Sequence, residues 1–166
     1  MGAIVNLIDA ILFLFFIVIA IFAPLLDGQT CLPEHYYPKV LADLKSWYSI
    51  EFGDYLVVER PYFFVGLVWM ELLLLWPLSV VNLFGLTYGK SWFNTTCLIF
   101  GVSMFSSMVA IMSEMIGSRR GSEKMMMMYF PFMCLAALAV LRGTFSPPSK
   151  TSIIGKRPAL ARKKRA

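Results

Sequence analysis

Two acidic residues stand inside or at the edge of long apolar runs, where a carboxylate is costly. Asp27 closes the run from Ile4 to Leu26. Glu71 lies within another, Val65-Gly66-Leu67-Val68-Trp69-Met70-Glu71-Leu72-Leu73-Leu74-Leu75-Trp76. If these runs cross a membrane, a charged acid at the bilayer centre costs roughly 2.5–3.5 kcal/mol on insertion scales, so each must be neutral, paired or functional. Two carboxyl groups brought together at low dielectric do not both ionise readily, and such a pair holds roughly one negative charge. That charge matches a single ammonium group. Trp69, Trp76 and Tyr48 would add cation–π attraction and walls for a rigid apolar body. The same two acids also fit a plainer role, a pair that only locks the first two spans together.

The composition fixes the setting for these acids. Of the 166 residues 58% are hydrophobic and 15% charged, with a mean hydropathy of +0.70. A soluble domain needs a more charged surface, so this is a membrane protein of one domain. The net charge of +5 does not point to nucleic acid, because eight of the fifteen Lys and Arg residues lie from Arg142 onward. A role at the membrane surface explains that clustering better. Cys97 and Cys134 fall in apolar runs and Cys31 in a polar connection. The odd count predicts free thiols, not a disulfide framework. Nothing in the pattern calls for a metal or a cofactor.

Four elements must position the acids. The run Ile4–Leu26 is long enough to cross a core of about 30 Å at ~1.5 Å per residue. With no Lys or Arg before it, it reads as a retained span, not a cleaved signal. The second span runs from about Pro61 to Leu86, and Pro77 should kink it six residues after Glu71. The third, about Trp92 to Met115, carries Gly101, Ser103, Ser106, Ser107 and Ala110, small residues that permit close helix approach or line a polar wall. Glu114 closes it, with Arg119 and Arg120 beyond, which suggests an interfacial ion pair. The fourth runs from about Met125 to Leu141; its methionine run reads as adaptable packing.

The connection 27–60 is the longest polar stretch. Val40, Leu41, Leu44, Trp47 and Tyr48 make an amphipathic stripe, with Asp43, Lys45, Ser46 and Ser49 opposite, so a short helix should lie at the interface or cap the bundle. The fold class is therefore all-α: a four-transmembrane-helix bundle over residues 1–143 with a short amphipathic helix in the first long loop. A disordered basic tail follows over 144–166.

Lys90 and the eight tail residues fall on one side of the four spans. Lys39, Lys45, Arg60, Arg119, Arg120 and Lys124 fall on the other. The asymmetry places both ends of the chain in the cytosol. In that topology the sequon Asn94-Thr95-Thr96 should stay unmodified. Lys163 and Lys164 fit a dilysine retrieval pattern of the endoplasmic reticulum or, equally, a stop-transfer charge cluster.

Between and around the acids the residues read Asp27-x-Gln29-x-x-Leu32-Pro33-x-x-x-Tyr37-Pro38, then Trp47-Tyr48-x-x-Glu51-Phe52-x-Asp54, and then Glu71 and Pro77. This long fixed spacing resembles the EXPERA family, which contains a receptor branch and sterol Δ8–Δ7 isomerases. The resemblance implies a four-helix membrane bundle whose pocket opens sideways to the bilayer. It implies that Asp27 pairs with a ligand ammonium, that Glu71 lies beside it, that Tyr48 forms a pocket wall and that Asp54 supports the fold. Tyr129-Phe130-Pro131-Phe132 stands where the receptor branch has Tyr-x-Pro-Tyr, so Tyr129 joins the ligand site while Phe132 lacks a hydroxyl. The resemblance further implies sterol ligands, a homodimer and a link to a sterol-transport protein.

Three functions follow from these readings. The first is non-catalytic binding of a sterol or hydrophobic amine in sterol homeostasis or trafficking, in the endoplasmic reticulum membrane. The second is sterol isomerisation, which needs an acid and a base around a shielded carbocation. The isomerase branch carries a His one helical turn before its first pocket acid, whereas this chain has Ala23 there, and its single histidine, His35, lies in the loop. Binding is therefore favoured over catalysis. The third is a structural assembly protein whose acids only support packing.

Overall fold

The first apolar run forms one helix, α1 (Gly2–Leu25), which ends as Pro24 gives way to a tight 3-10 turn, Asp27–Thr30. The computed structural model describes residues 2–145. After a second short turn at Glu34–Tyr36, the first long loop folds into α2 (Lys39–Phe52) and α3 (Tyr55–Glu59). The second span is α4 (Tyr62–Met70), a π turn (Glu71–Leu75) and α5 (Trp76–Thr87). Then come α6 (Phe93–Gly117) and α7 (Glu123–Thr144). Four helical segments are long and apolar enough to cross a membrane, and no strand occurs among the described residues. The basic tail and its dilysine pattern lie outside the described residues, from position 146 onward.

The core sits where α1, α6 and α7 meet. Phe15 and Phe16 meet Phe100 edge to face at centroid distances of 5.7 and 5.1 Å, and Phe132 lies 6.1 Å from Phe15. In lipid, helices associate through close packing, because the surrounding tails are as apolar as leucine. Gly101 shows this: a Cβ there would stand 2.7 Å from the Val140 backbone nitrogen, so α6 and α7 approach backbone to backbone. Ser106 and Ser107 instead spend their hydroxyls on their own helix, donating to the carbonyls of Val102 and Ser103 at 2.9 and 3.1 Å.

Three local readings are corrected. Pro77 does not simply kink a straight helix. The distortion lies ahead of it, as a π turn in which the Trp76 amide reaches back to the Glu71 carbonyl. A proline ring collides with the carbonyl four residues earlier, and widening the preceding turn relieves the collision. Arg120 pairs with Glu59 at the end of α3, not with Glu114; the two make a bidentate pair with one N–O distance of 2.9 Å. Lys124 likewise holds Glu51 at 2.7 Å. These two pairs tie the loop helices to the α6–α7 connection and to the start of α7. Each exposed carboxylate is held below its usual range by its cation.

The third correction concerns α2. Its apolar stripe is divided. Val40, Leu44 and Trp47 are exposed, with Val40 at 75%, as suits a helix edge lying against the membrane. Leu41, Lys45 and Tyr48 are half-buried toward the bundle.

Candidate functional site

The end of α1 leaves backbone carbonyls without intrahelical partners, and side chains of the following loop serve them. Tyr37 donates its hydroxyl to the Pro24 carbonyl at 3.1 Å. The Gln29 amide donates to Leu25 at 2.7 Å and to Leu41 at 3.2 Å. These bonds fold the Asp27–Thr30 turn against the helix end and bring α2 over it. Gln29 and Thr30 are buried, and Asp27 is half-buried.

The second acid arrives from α4. Glu71 opens the π turn, which is an element that recurs at functional sites because it re-aims side chains within a helix. A Cβ placed on Gly28 would lie 3.7 Å from Leu72 Cδ2, so the residues following the two acids are in contact. The irregular turns that carry the two acids, one on each of two spans, therefore meet. Both acids are half-buried.

Asp54 is fully buried and bonded on both oxygens. Oδ1 accepts the amides of Leu56 and Val57 at 3.1 and 3.3 Å, capping α3. Oδ2 accepts the hydroxyls of Tyr48 at 3.2 Å and Tyr129 at 2.8 Å. The two tyrosines of the expected ligand site thus meet on Asp54, joining α2, α3 and α7. Burial and the Asp54 carboxylate push the Tyr48 hydroxyl well above its ordinary range, which keeps it a donor.

The tryptophans differ from each other. Trp76 donates its indole N–H to the Ala20 carbonyl at 3.0 Å, which ties α5 to α1. Trp69 is 41% exposed on α4. His35 lies in the exposed loop with its ring 4.1 Å from that of Tyr36, and Ala23 is buried in the core.

Two groups of residues escaped the sequence reading. Lys45, assigned to the outer polar side of α2, turns inward and donates to Thr30 Oγ1 at 3.2 Å. A cleft of about 410 Å³ beside it is lined by Gln29, Lys45, Ser46, Ser49 and Arg60, among others. The signal was present, because Lys45 falls four residues after Leu41 and three before Tyr48, on their face. At the other end of the bundle, Arg142 grips Asp9 with two bonds of 2.6 and 3.2 Å and donates to Asn94 Oδ1 at 3.0 Å. Asn94 belongs to the sequon, and its Thr96 donates to the buried Asn82 Oδ1 at 2.6 Å. The Asn94 and Thr96 side chains of that sequon are both engaged within the bundle. The three cysteines are free.

Comparison with known proteins gives a consistent result. A family model described as EXPERA (EXPanded EBP superfamily) matches residues 40–143. A Sigma intracellular receptor 2 of Xenopus tropicalis is 25% identical over 160 residues, covering 89% of this chain and 94% of that protein. Proteins of the same name from Macaca fascicularis and Homo sapiens are 30% and 29% identical over 92 residues, 55% of this chain and 52% of each of those proteins.

Proposed function

The chain belongs to the EXPERA family, and from that premise we propose that it is a non-catalytic membrane receptor that binds a sterol-like or hydrophobic cationic ligand at an acidic site formed by Asp27 and Glu71. The observation that carries this reading is the contact of the two irregular turns, Asp27–Thr30 and Glu71–Leu75, through Gly28 and Leu72. Asp54, with Tyr48 and Tyr129, acts in this proposal as the support that fixes α2 over the site.

Catalysis is left out of the proposal on chemical grounds. An isomerase must add a proton at one carbon and remove one at another. Ala23 has no proton to exchange, and His35 sits in the loop. Expression in cells lacking sterol Δ8–Δ7 isomerase should therefore leave Δ8-sterols accumulated; restored Δ7-sterols would overturn the non-catalytic reading.

The setting proposed is the endoplasmic reticulum membrane, with the Lys90 turn and both ends of the chain facing the cytosol, supported by the distribution of Lys and Arg. Sterol homeostasis or trafficking is the proposed process, with a homodimer and a sterol-transport protein as proposed partners. Lipid mass spectrometry on purified wild type and on the Asp27→Asn, Glu71→Gln double variant tests the binding reading. A sterol or lipophilic amine should accompany the wild type and be depleted from the variant. An identical lipid profile in both would favour a purely structural assembly role.

A further inference from the structure

The acidic site is not met by water or lipid alone on its loop side. In a 3-10 turn the side chains at i and i+3 eclipse one another. Asp27 and Thr30 are the first and fourth residues of such a turn, so they project on one side of it. Lys45 Nζ is bonded to Thr30 Oγ1 at 3.2 Å, which places its ammonium group over that same side. The position is built, because the Gln29 amide clamps the turn to Leu41 one helical turn before Lys45. Lys45 is half-buried on the inward face of α2.

We propose that Lys45 is a specificity-determining residue, the resident cation of the Asp27 site, which disfavours a ligand ammonium and favours a neutral ligand bearing a hydroxyl group. The inference rests on the reading of Asp27 and Glu71 as a ligand site and names the ligand class that this chain prefers there. A ligand amine must displace an ammonium that is already tethered to Thr30. An ammonium has donors only, so it cannot accept from Lys45. A hydroxyl both donates and accepts, and can bridge Asp27 and Lys45 without separating them.

The test compares two radiolabelled probes of one shape, trans-4-phenethylcyclohexylamine as the amine and trans-4-phenethylcyclohexanol as the alcohol, on membranes carrying wild type, Lys45→Gln or Lys45→Arg. Lys45→Gln should raise affinity for the amine about tenfold and leave that for the alcohol unchanged or lower, whereas Lys45→Arg should keep the wild-type preference. Equal effects on both probes, or an unchanged amine affinity, would overturn the role of Lys45. A wild type that binds neither probe would count against the ligand-site reading itself, and a second measurement still decides the pairing. Thermal midpoints of purified Asp27→Asn, Lys45→Gln and the double variant should be non-additive; strictly additive losses would show that Lys45 is not the cation of Asp27.

Discussion

The indole N–H of Trp76 donates, at 3.0 Å, to the carbonyl of Ala20, the acceptor that the nitrogen of Pro24, carrying no hydrogen, cannot serve. A proline in the first span is thus answered by a tryptophan at the start of α5, 56 residues away. In a membrane no water stands ready to take that place. The contact also fixes the second span against α1 immediately below the two acids.

Trp76→Phe should cost about 1 kcal/mol of stability, because it leaves the Ala20 carbonyl without its donor. Pro24→Ala restores a backbone N–H to the helix, so Trp76→Phe in that background should cost much less. Thermal unfolding in detergent reads the difference. Equal costs in both backgrounds would show that the indole contributes by packing and not by its hydrogen bond.

Asp54→Asn should destabilise the protein by about 3 kcal/mol, since one oxygen that accepts two tyrosine hydroxyls, or the one that caps α3, is replaced by a donor. The number of binding sites per membrane should fall while the affinity of the surviving sites holds. Tyr129→Phe removes one of four donors and should cost about 1 kcal/mol. A drop in affinity with full expression of Asp54→Asn would instead place that carboxylate in contact with ligand.

Arg142 ties three spans together through Asp9 on α1 and Asn94 on α6, and its side chain is only 11% exposed. Arg142→Met alone leaves Asp9 without its partner and should cost about 2 kcal/mol. Adding Asp9→Asn should recover most of that loss. A double variant as unstable as the sum of the two singles would rule out the coupling.

The spans were legible in the sequence because length and apolarity alone decide what can cross a bilayer. Asp27 and Glu71 were legible for the complementary reason, as charges where charge is costly. What the sequence hid is what depends on long-range geometry. Asp9 and Arg142 are 133 residues apart and lie near the ends of their spans, where either alone looks like an ordinary interfacial charge. The convergence of Tyr48 and Tyr129 on Asp54 joins separations of 6 and 75 residues. Lys45 was sorted by its polarity when its helical angle, shared with Leu41 and Tyr48, was the better guide. The π turn at Glu71 arises from the way the helix accommodates Pro77, and periodicity carries no mark of it.

The charge of Asp27 is the feature on which ligand recognition turns. Saturation binding of radiolabelled N-phenethylpiperidine to membranes, corrected for the amount of folded protein, compares wild type with Asp27→Asn, a change that removes the charge at almost constant volume. A charge-assisted hydrogen bond lost from a partly desolvated site is worth at least ~2 kcal/mol, or roughly thirtyfold in affinity. Glu71→Gln should cost less, because Gln keeps a hydrogen-bonding group at that position and leaves the Asp27 charge in place. A thirtyfold loss in Asp27→Asn with a smaller one in Glu71→Gln is the predicted result; equal affinity of wild type and Asp27→Asn for the amine would contradict the acidic site.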